Sequence, residues 1–196
     1  MRNSRPISQK TKNHTMKGKE FESLCKDRAK KEKDLYHMRP YGVKAVFESL
    51  THQWRPVYSN PDFEGIFGRG RQFVFDAKVI SGSKLDHMND SASKVNQREF
   101  MLHRWSLGCP AFFLVHCVER TFIKKETQPE QTWAMPCDPD MDIWKSIASE
   151  KKSSISRDEL EEFGSKVKWD TVNPADRNPL PDFFSAVLEF AKKIDK

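Results

Sequence analysis

The segment YSNPDFEGIFGRGRQFVFDAKVI, Tyr58–Ile80, decides how the rest of the chain is read. Phe63, Ile66 and Phe67 precede a Gly68-Arg69-Gly70-Arg71 turn, where glycine supplies the positive φ angles a tight hairpin needs. Gln72–Ile80 follows, rich in Phe and Val, so two strands joined by a turn are predicted. Asp62 opens the first strand. Asp76 and Lys78 lie two apart on the second and share a face, with Ala77 turned the other way. Antiparallel pairing would bring Asp62 up to Asp76.

Two carboxylates beside one lysine can do chemistry. The carboxylates can hold a hard divalent cation through oxygen, leaving positions for water and phosphate. The lysine can position a water next to it or help deprotonate it. Such a set suits phosphodiester hydrolysis. An Asp-x-Lys pair on a strand is more often two solvated charges in weak cross-strand contact. The flanking Phe73-Val74-Phe75 argues against that here, because charges in so apolar a strand are costly unless paired or bound to metal.

Pro61-Asp62 followed by Asp76-Ala77-Lys78 resembles the PD-(D/E)xK nuclease motif. Within that superfamily the chain is most similar to the RecU-type Holliday junction resolvases of Gram-positive bacteria and their phages. Lys17-Gly18-Lys19-Glu20-Phe21-Glu22 resembles that family's early Arg-Gly-x-x-Leu-Glu segment, with Lys in place of Arg. Gln97 lies on a predicted helix after the core strand, as the family's glutamine does. Gly108–Val115 resembles its Gly-x-x-x-Phe strand. The resemblance spans about residues 17–135. Asp76 stands where the family usually has Glu, and Asn60 where it often has Thr. The resemblance implies a single α/β domain with a central mixed sheet flanked by helices, a restriction-endonuclease-like core. It implies Mg²⁺ or Mn²⁺ held by Asp62, Asp76 and the Ala77 carbonyl, with Glu22 as an auxiliary ligand to metal or water. Lys78 would orient the nucleophile, and Gln97 would hydrogen-bond the scissile phosphate or steady Lys78. The substrate would be a four-way DNA junction cut by a homodimer. Arg69, Arg71, Lys17, Lys84 and Arg104 are the basic residues expected on DNA, and the compartment would be the cytoplasm of a bacterial or phage-infected cell.

Composition is consistent with this. The chain of 196 residues suits one α/β domain. Only 37% is apolar, but 14 Phe and 5 Trp can build a core. A net charge of +6 suits a polyanionic partner. No run approaches the roughly 20 apolar residues of a membrane span, and no signal-peptide core follows the basic start. Cys25, Cys109, Cys117 and Cys137 form no C-x-x-C pair; they read as reduced, buried thiols rather than zinc ligands, although His103 and His116 lie near in sequence.

Three regions are expected: a disordered basic tail (1–16), the nuclease core (17–135) and a helical C-terminal extension (136–196) packed on the core or on a second subunit. The tail can follow phosphates or simply solubilise. Residues 17–37 are predicted helical from Phe21, Leu24, Cys25 and Ala29. Glu22 borders that stripe and could equally pair with Lys26 at i+4. Residues 41–58 are compatible with strand or helix, and 81–93 with a loop beside the site. A helix over 93–107 ending at Gly108, a buried central strand over 111–118 and one or two strands over 120–136 complete the core. Helices follow at 141–149, 156–163 with a capping box at Ser156, and 182–194.

Three functions compete. The first is a metal-dependent, junction-selective endonuclease. The second is a nuclease with the same core acting on duplex DNA. The third is a DNA-binding or architectural protein in which the acidic pair is structural.

Overall fold

The structure is a computed structural model. It describes residues 7–41, 45–48, 53–56, 61–85, 88, 91–118, 120, 121, 127, 128, 130–172 and 179–196, with backbone alone for 7–17, 45–48, 53–56, 120, 121, 127 and 128. In chain order the elements are α1 (Ile7–Lys31), β1 (Tyr36–Pro40), β2 (Ala45–Glu48), β3 (Gln53–Pro56), β4 (Phe63–Phe67), β5 (Arg71–Ile80), β6 (Lys84–Leu85) and α2 (Ala92–Ser106). After α2 come β7 (Ala111–Cys117), β8 (Arg120–Thr121), β9 (Thr127–Gln128), β10 (Gln131–Pro136) and α3 (Asp142–Ala148). The chain continues through β11 (Ile155–Ser156), α4 (Arg157–Phe163), β12 (Ser165–Val167), β13 (Trp169–Asp170), β14 (Leu180–Pro181) and α5 (Phe183–Ile194).

A mixed sheet of order β1-β4-β5-β7-β10-β12 forms the centre. The expected α/β class, one mixed sheet with helices over its faces, is what the structure shows. β4 and β5 make the expected hairpin, antiparallel, with Phe63 opposite Phe75. Its turn holds Gly68 at φ +52° and Gly70 at φ +87°, which residues with a Cβ rarely adopt. β5 then pairs parallel with β7 through the α2 crossover, Phe75 opposite Phe112. β7, flanked by β5 and β10, is the buried central strand that its apolar run predicts.

The two faces of β5 have different cover. Phe73 and Phe75 pack on Phe184 and Phe183 of α5, with ring centroids 6.5 and 4.9 Å apart. On the same face Phe112 meets Phe190 of α5, and His116 stacks on Phe21 of α1. The opposite face carries Asp76 and Phe113. α2 covers it through Gln97, and α3 through Trp144, 5.8 Å from Phe113. Arg28, buried on α1, is tied to Glu32 at 2.6 Å, to Asp182 at 3.3 Å and to Asp170. That cluster fixes α1 to the start of α5.

The structure corrects several boundaries. α1 begins at Ile7, so residues 7–16 of the supposed disordered tail are helical, while 1–6 lie outside the described residues. A helix already nucleated extends cheaply through Lys, Gln and Met without needing an apolar face. α1 also stops at Lys31, and Tyr36–Pro40 forms an edge strand instead of helix. Residues 45–48 and 53–56 pair as a hairpin, which settles strand over helix there. The C-terminal extension is not purely helical, since β12 adds the last strand of the main sheet. α4 carries the expected capping box at Ser156.

Gly65 lies where β1, β4 and β5 are tightest. A Cβ there would sit 2.2 Å from the Phe73 ring and 2.8 Å from the His37 carbonyl oxygen. Phe73 is fully buried and cannot swing away. Gly65→Ala is therefore expected to cost about 1–3 kcal/mol, the usual range for overpacking. A lower urea midpoint at unchanged slope would show it; an unmoved midpoint would mean the ring has room to shift.

Candidate active site

Hairpin register brings the acidic pair together. With Phe63 opposite Phe75, the next residue outward on each strand is Asp62 and Asp76. Tyr41 holds Asp62 in place by donating its N–H to the Asp62 carbonyl oxygen at 2.9 Å. Asp62 Oδ2 accepts the Ala77 N–H at 2.9 Å. The Ala77 carbonyl leaves the strand on the same side as its N–H, toward Asp62.

Asp76 is fully buried. Its Oδ1 accepts a hydrogen bond from Gln97 Nε2 at 2.5 Å. Its Oδ2 forms an ion pair with Lys78 Nζ but accepts no hydrogen bond of regular geometry. Burial pushes the Asp76 pKa from its usual 3.8 up to about 7; Lys78 opposes the rise, and the nearby Asp62 carboxyl, within hydrogen-bonding reach, reinforces it. Lys78 is 35% exposed through its side chain. Burial works against its charge, yet Asp76 first, then Asp62 and Glu22, hold its pKa above the ordinary lysine value. Gln97 Oε1 lies 3.5 Å from Lys78 Nζ, so one amide touches both members of the pair.

Glu22 projects from α1 toward this group. Burial and the Asp62 charge raise its pKa, while Lys26, Lys78 and Lys19 pull it down. It thus feels both the Asp62 charge on the site side and Lys26 at i+4. Two buried thiols back the site. Cys25 and Cys137 are both pushed up by burial, Cys25 also by Asp62 and Glu22, and Cys137 by Asp76. They remain neutral and act as apolar packing, Cys25 beside Asp62 and Glu22 and Cys137 beside Asp76.

The donor set fits a hard cation. Asp62, Asp76 and the Ala77 carbonyl are oxygen donors, and the buried Asp76 Oδ2, paired with Lys78 but accepting no hydrogen bond of regular geometry, is an atom that a cation would satisfy. Among the described residues no three His, Cys, Asp or Glu side chains gather round one point at metal-binding distance. Glu22, Asp62 and Asp76 therefore do not gather as a set of three ligands. His103, Cys109, His116 and Cys117 likewise form no zinc cluster; His116 instead binds Thr132 at 3.0 Å and Glu130 at 2.9 Å. All four cysteines are free and buried.

The expected DNA-contacting residues divide. Lys84 lines a cleft of about 490 Å³ that also holds Lys78, Gln97, Ser81, Gly82 and Lys94. Lys94 was not singled out from sequence; its place one turn before Gln97 on α2 is the signal that could have found it. Arg69, Arg71 and Arg104 lie at the hairpin end of β5, four or more residues and so at least about 13 Å from Asp76. Arg69 is exposed in the turn. Arg71 binds Asp195 at 2.7 Å and the Ala191 carbonyl at 3.2 Å, which fastens the hairpin to α5. Arg104 donates to Gln72 and to Cys109 Sγ. These two arginines are engaged inside the fold. Lys17 lies on α1, with its side chain outside the described residues.

Among the described residues no helix is long and apolar enough to cross a membrane. No family model matches the chain, and no curated protein matches it. Among solved structures it is similar to the 1.6 Å structure of Hjc from Archaeoglobus fulgidus, a Holliday junction resolvase from an archaeal hyperthermophile. Identity is 15% and the TM-score 0.45, over 76% of this chain and 95% of that one.

Proposed function

We propose that the chain is a metal-dependent DNA endonuclease of the PD-(D/E)xK type, acting on branched DNA. The observation that carries the reading is the fully buried Asp76, joined to Asp62, Lys78 and Gln97 in one contiguous network. A buried carboxylate costs stability unless it has work that needs it. Bound Mg²⁺ or Mn²⁺ would supply Lewis acidity and lower the pKa of an attacking water.

The chain's own residues do the rest. Asp62 and Asp76, with the Ala77 carbonyl, would hold the cation. Lys78 stays protonated in this setting, so its part is to orient the attacking water and stabilise charge on the phosphate, not to take a proton. Water oxygen adds to phosphorus as its proton passes to bulk water, the phosphorus–oxygen bond to one sugar breaks, and the departing alkoxide takes up a proton from bulk water. Gln97 is a positioning residue: it fixes Asp76 and Lys78 relative to one another. Glu22 assists the water from the α1 side. The four-way junction as substrate, and a homodimer making two symmetric cuts, follow from the resemblance of the sequence motifs to RecU-type resolvases.

The test is a labelled immobile four-way junction beside its linear arms, incubated with Mg²⁺, Mn²⁺ or no metal. Paired symmetric nicks in the junction alone are expected. Equal cutting of the linear arms would transfer the site to a duplex nuclease. Binding without cutting under any metal would favour an architectural protein.

A further inference from the structure

Between α1 and the edge strand β1 runs a groove of about 500 Å³, lined by Lys26, Lys30, Lys33 and His37 on its charged side. Ala29, Tyr36, Met38 and Pro40 complete the lining, so no carboxylate does. Lys26 and Lys30 lie one turn apart on the same face of α1, and Lys33 follows in the turn beyond its end. Lys26 belongs to both sites: it lowers the Glu22 pKa, and its ammonium lies 5.8 Å from the Phe63 ring centroid, next to Asp62 in sequence. The groove thus begins one helical turn beyond Glu22 and leads away from the aspartate pair.

The geometry points to this groove as a track for the phosphodiester backbone of the nucleic acid arm leaving the cut site. The inference rests on the nuclease reading and extends it to where the substrate runs. Lys26 and Lys30 are about 6 Å apart along α1, close to two phosphate spacings of one strand, and Lys33 in the turn beyond extends the run. Lys30 is held at 3.0 Å by Asp27, but that pair is exposed and weak, so a phosphate can displace the carboxylate. Lys33 and His37 are exposed at the outer end. Tyr36, Met38 and Pro40 give the floor an apolar surface for the sugars.

Binding of a labelled duplex in EDTA, measured across a salt series, tests this. Lys30→Gln/Lys33→Gln should flatten the slope of log K against log salt by about 2, close to 0.9 per lost contact, and weaken binding about tenfold at low salt. Under cleavage conditions the same variant should raise KM at unchanged kcat, which a general loss of fold would not do. Lys151→Gln/Lys168→Gln, two exposed lysines elsewhere, is the charge control and should leave the slope as it is. An unaltered slope in the groove variant, or an equal change in the control, overturns the track while leaving the nuclease reading intact. Wild-type binding with the expected slope change but no cutting in any metal overturns the nuclease reading and keeps the groove. No DNA binding by the wild type overturns both.

Discussion

Replacing Lys78 by alanine is expected to lower DNA cleavage by about 10³-fold at saturating metal, the scale for removing a preorganised charge from a reacting phosphate. Asp76→Asn should do at least as much, because it also removes an oxygen donor from the cation. Both variants should still bind DNA, since most of the affinity comes from phosphate contacts elsewhere. Gln97→Ala should fall between, at about 10–100-fold, because it loosens two groups without deleting either. Circular dichroism would confirm that each variant is folded. Undiminished cutting by a folded Lys78→Ala variant would end the assignment of this residue to the chemistry.

The second large effect is on pH. Divalent-ion affinity is expected to climb about tenfold per pH unit between pH 5 and 7 and to level off above about 7. Asp76 carries a proton below that range and must release it to bind a cation. Calorimetry in buffers of different ionisation enthalpy should find protons released on binding in this window. Stability without metal should run in the opposite sense. The folded chain keeps the Asp76 proton up to about pH 7, whereas the unfolded chain loses it near the ordinary 3.8. The native state therefore binds more protons in between, and stability declines as pH rises from about 4 to about 7. The decline is at most ~4 kcal/mol, and Glu22, also raised, adds to it in the same direction. Asp76→Asn should lack most of this decline. Metal affinity that is flat from pH 5 to 7.5 would show that Asp76 is ionised throughout.

The hairpin and its acidic pair were legible because their cues are local. Period-two alternation, two glycines in the turn and an apolar flank fix both register and face. β7 was legible as an uninterrupted apolar run. Gln97 was placed by helical spacing together with the family resemblance. β1 was missed because the alternation of Tyr-His-Met-Arg is only four residues long and directly follows a helical stretch, and its place is set by pairing with β4. β12 is three residues long, too short to carry a pattern. Arg71 and Arg104 read as free charges because a side chain's partner is invisible at a sequence distance; Asp195 lies 124 residues from Arg71. The depth of Asp76 itself was only half visible. Its flanks foretold burial, but the closeness of Asp62 and the thiols behind it arises from three separate elements.

The aromatic backing of β5 comes from α5, so chain order imposes a timetable. During synthesis the hairpin and β7 leave the ribosome long before Phe183, Phe184 and Phe190 exist to close over Phe75 and Phe112. The sheet that carries the acidic pair cannot be closed on its aromatic side until residues 183–194 have been made. The strands that carry Asp62 and Asp76 thus keep one aromatic side open until the last stretch of the chain has been made.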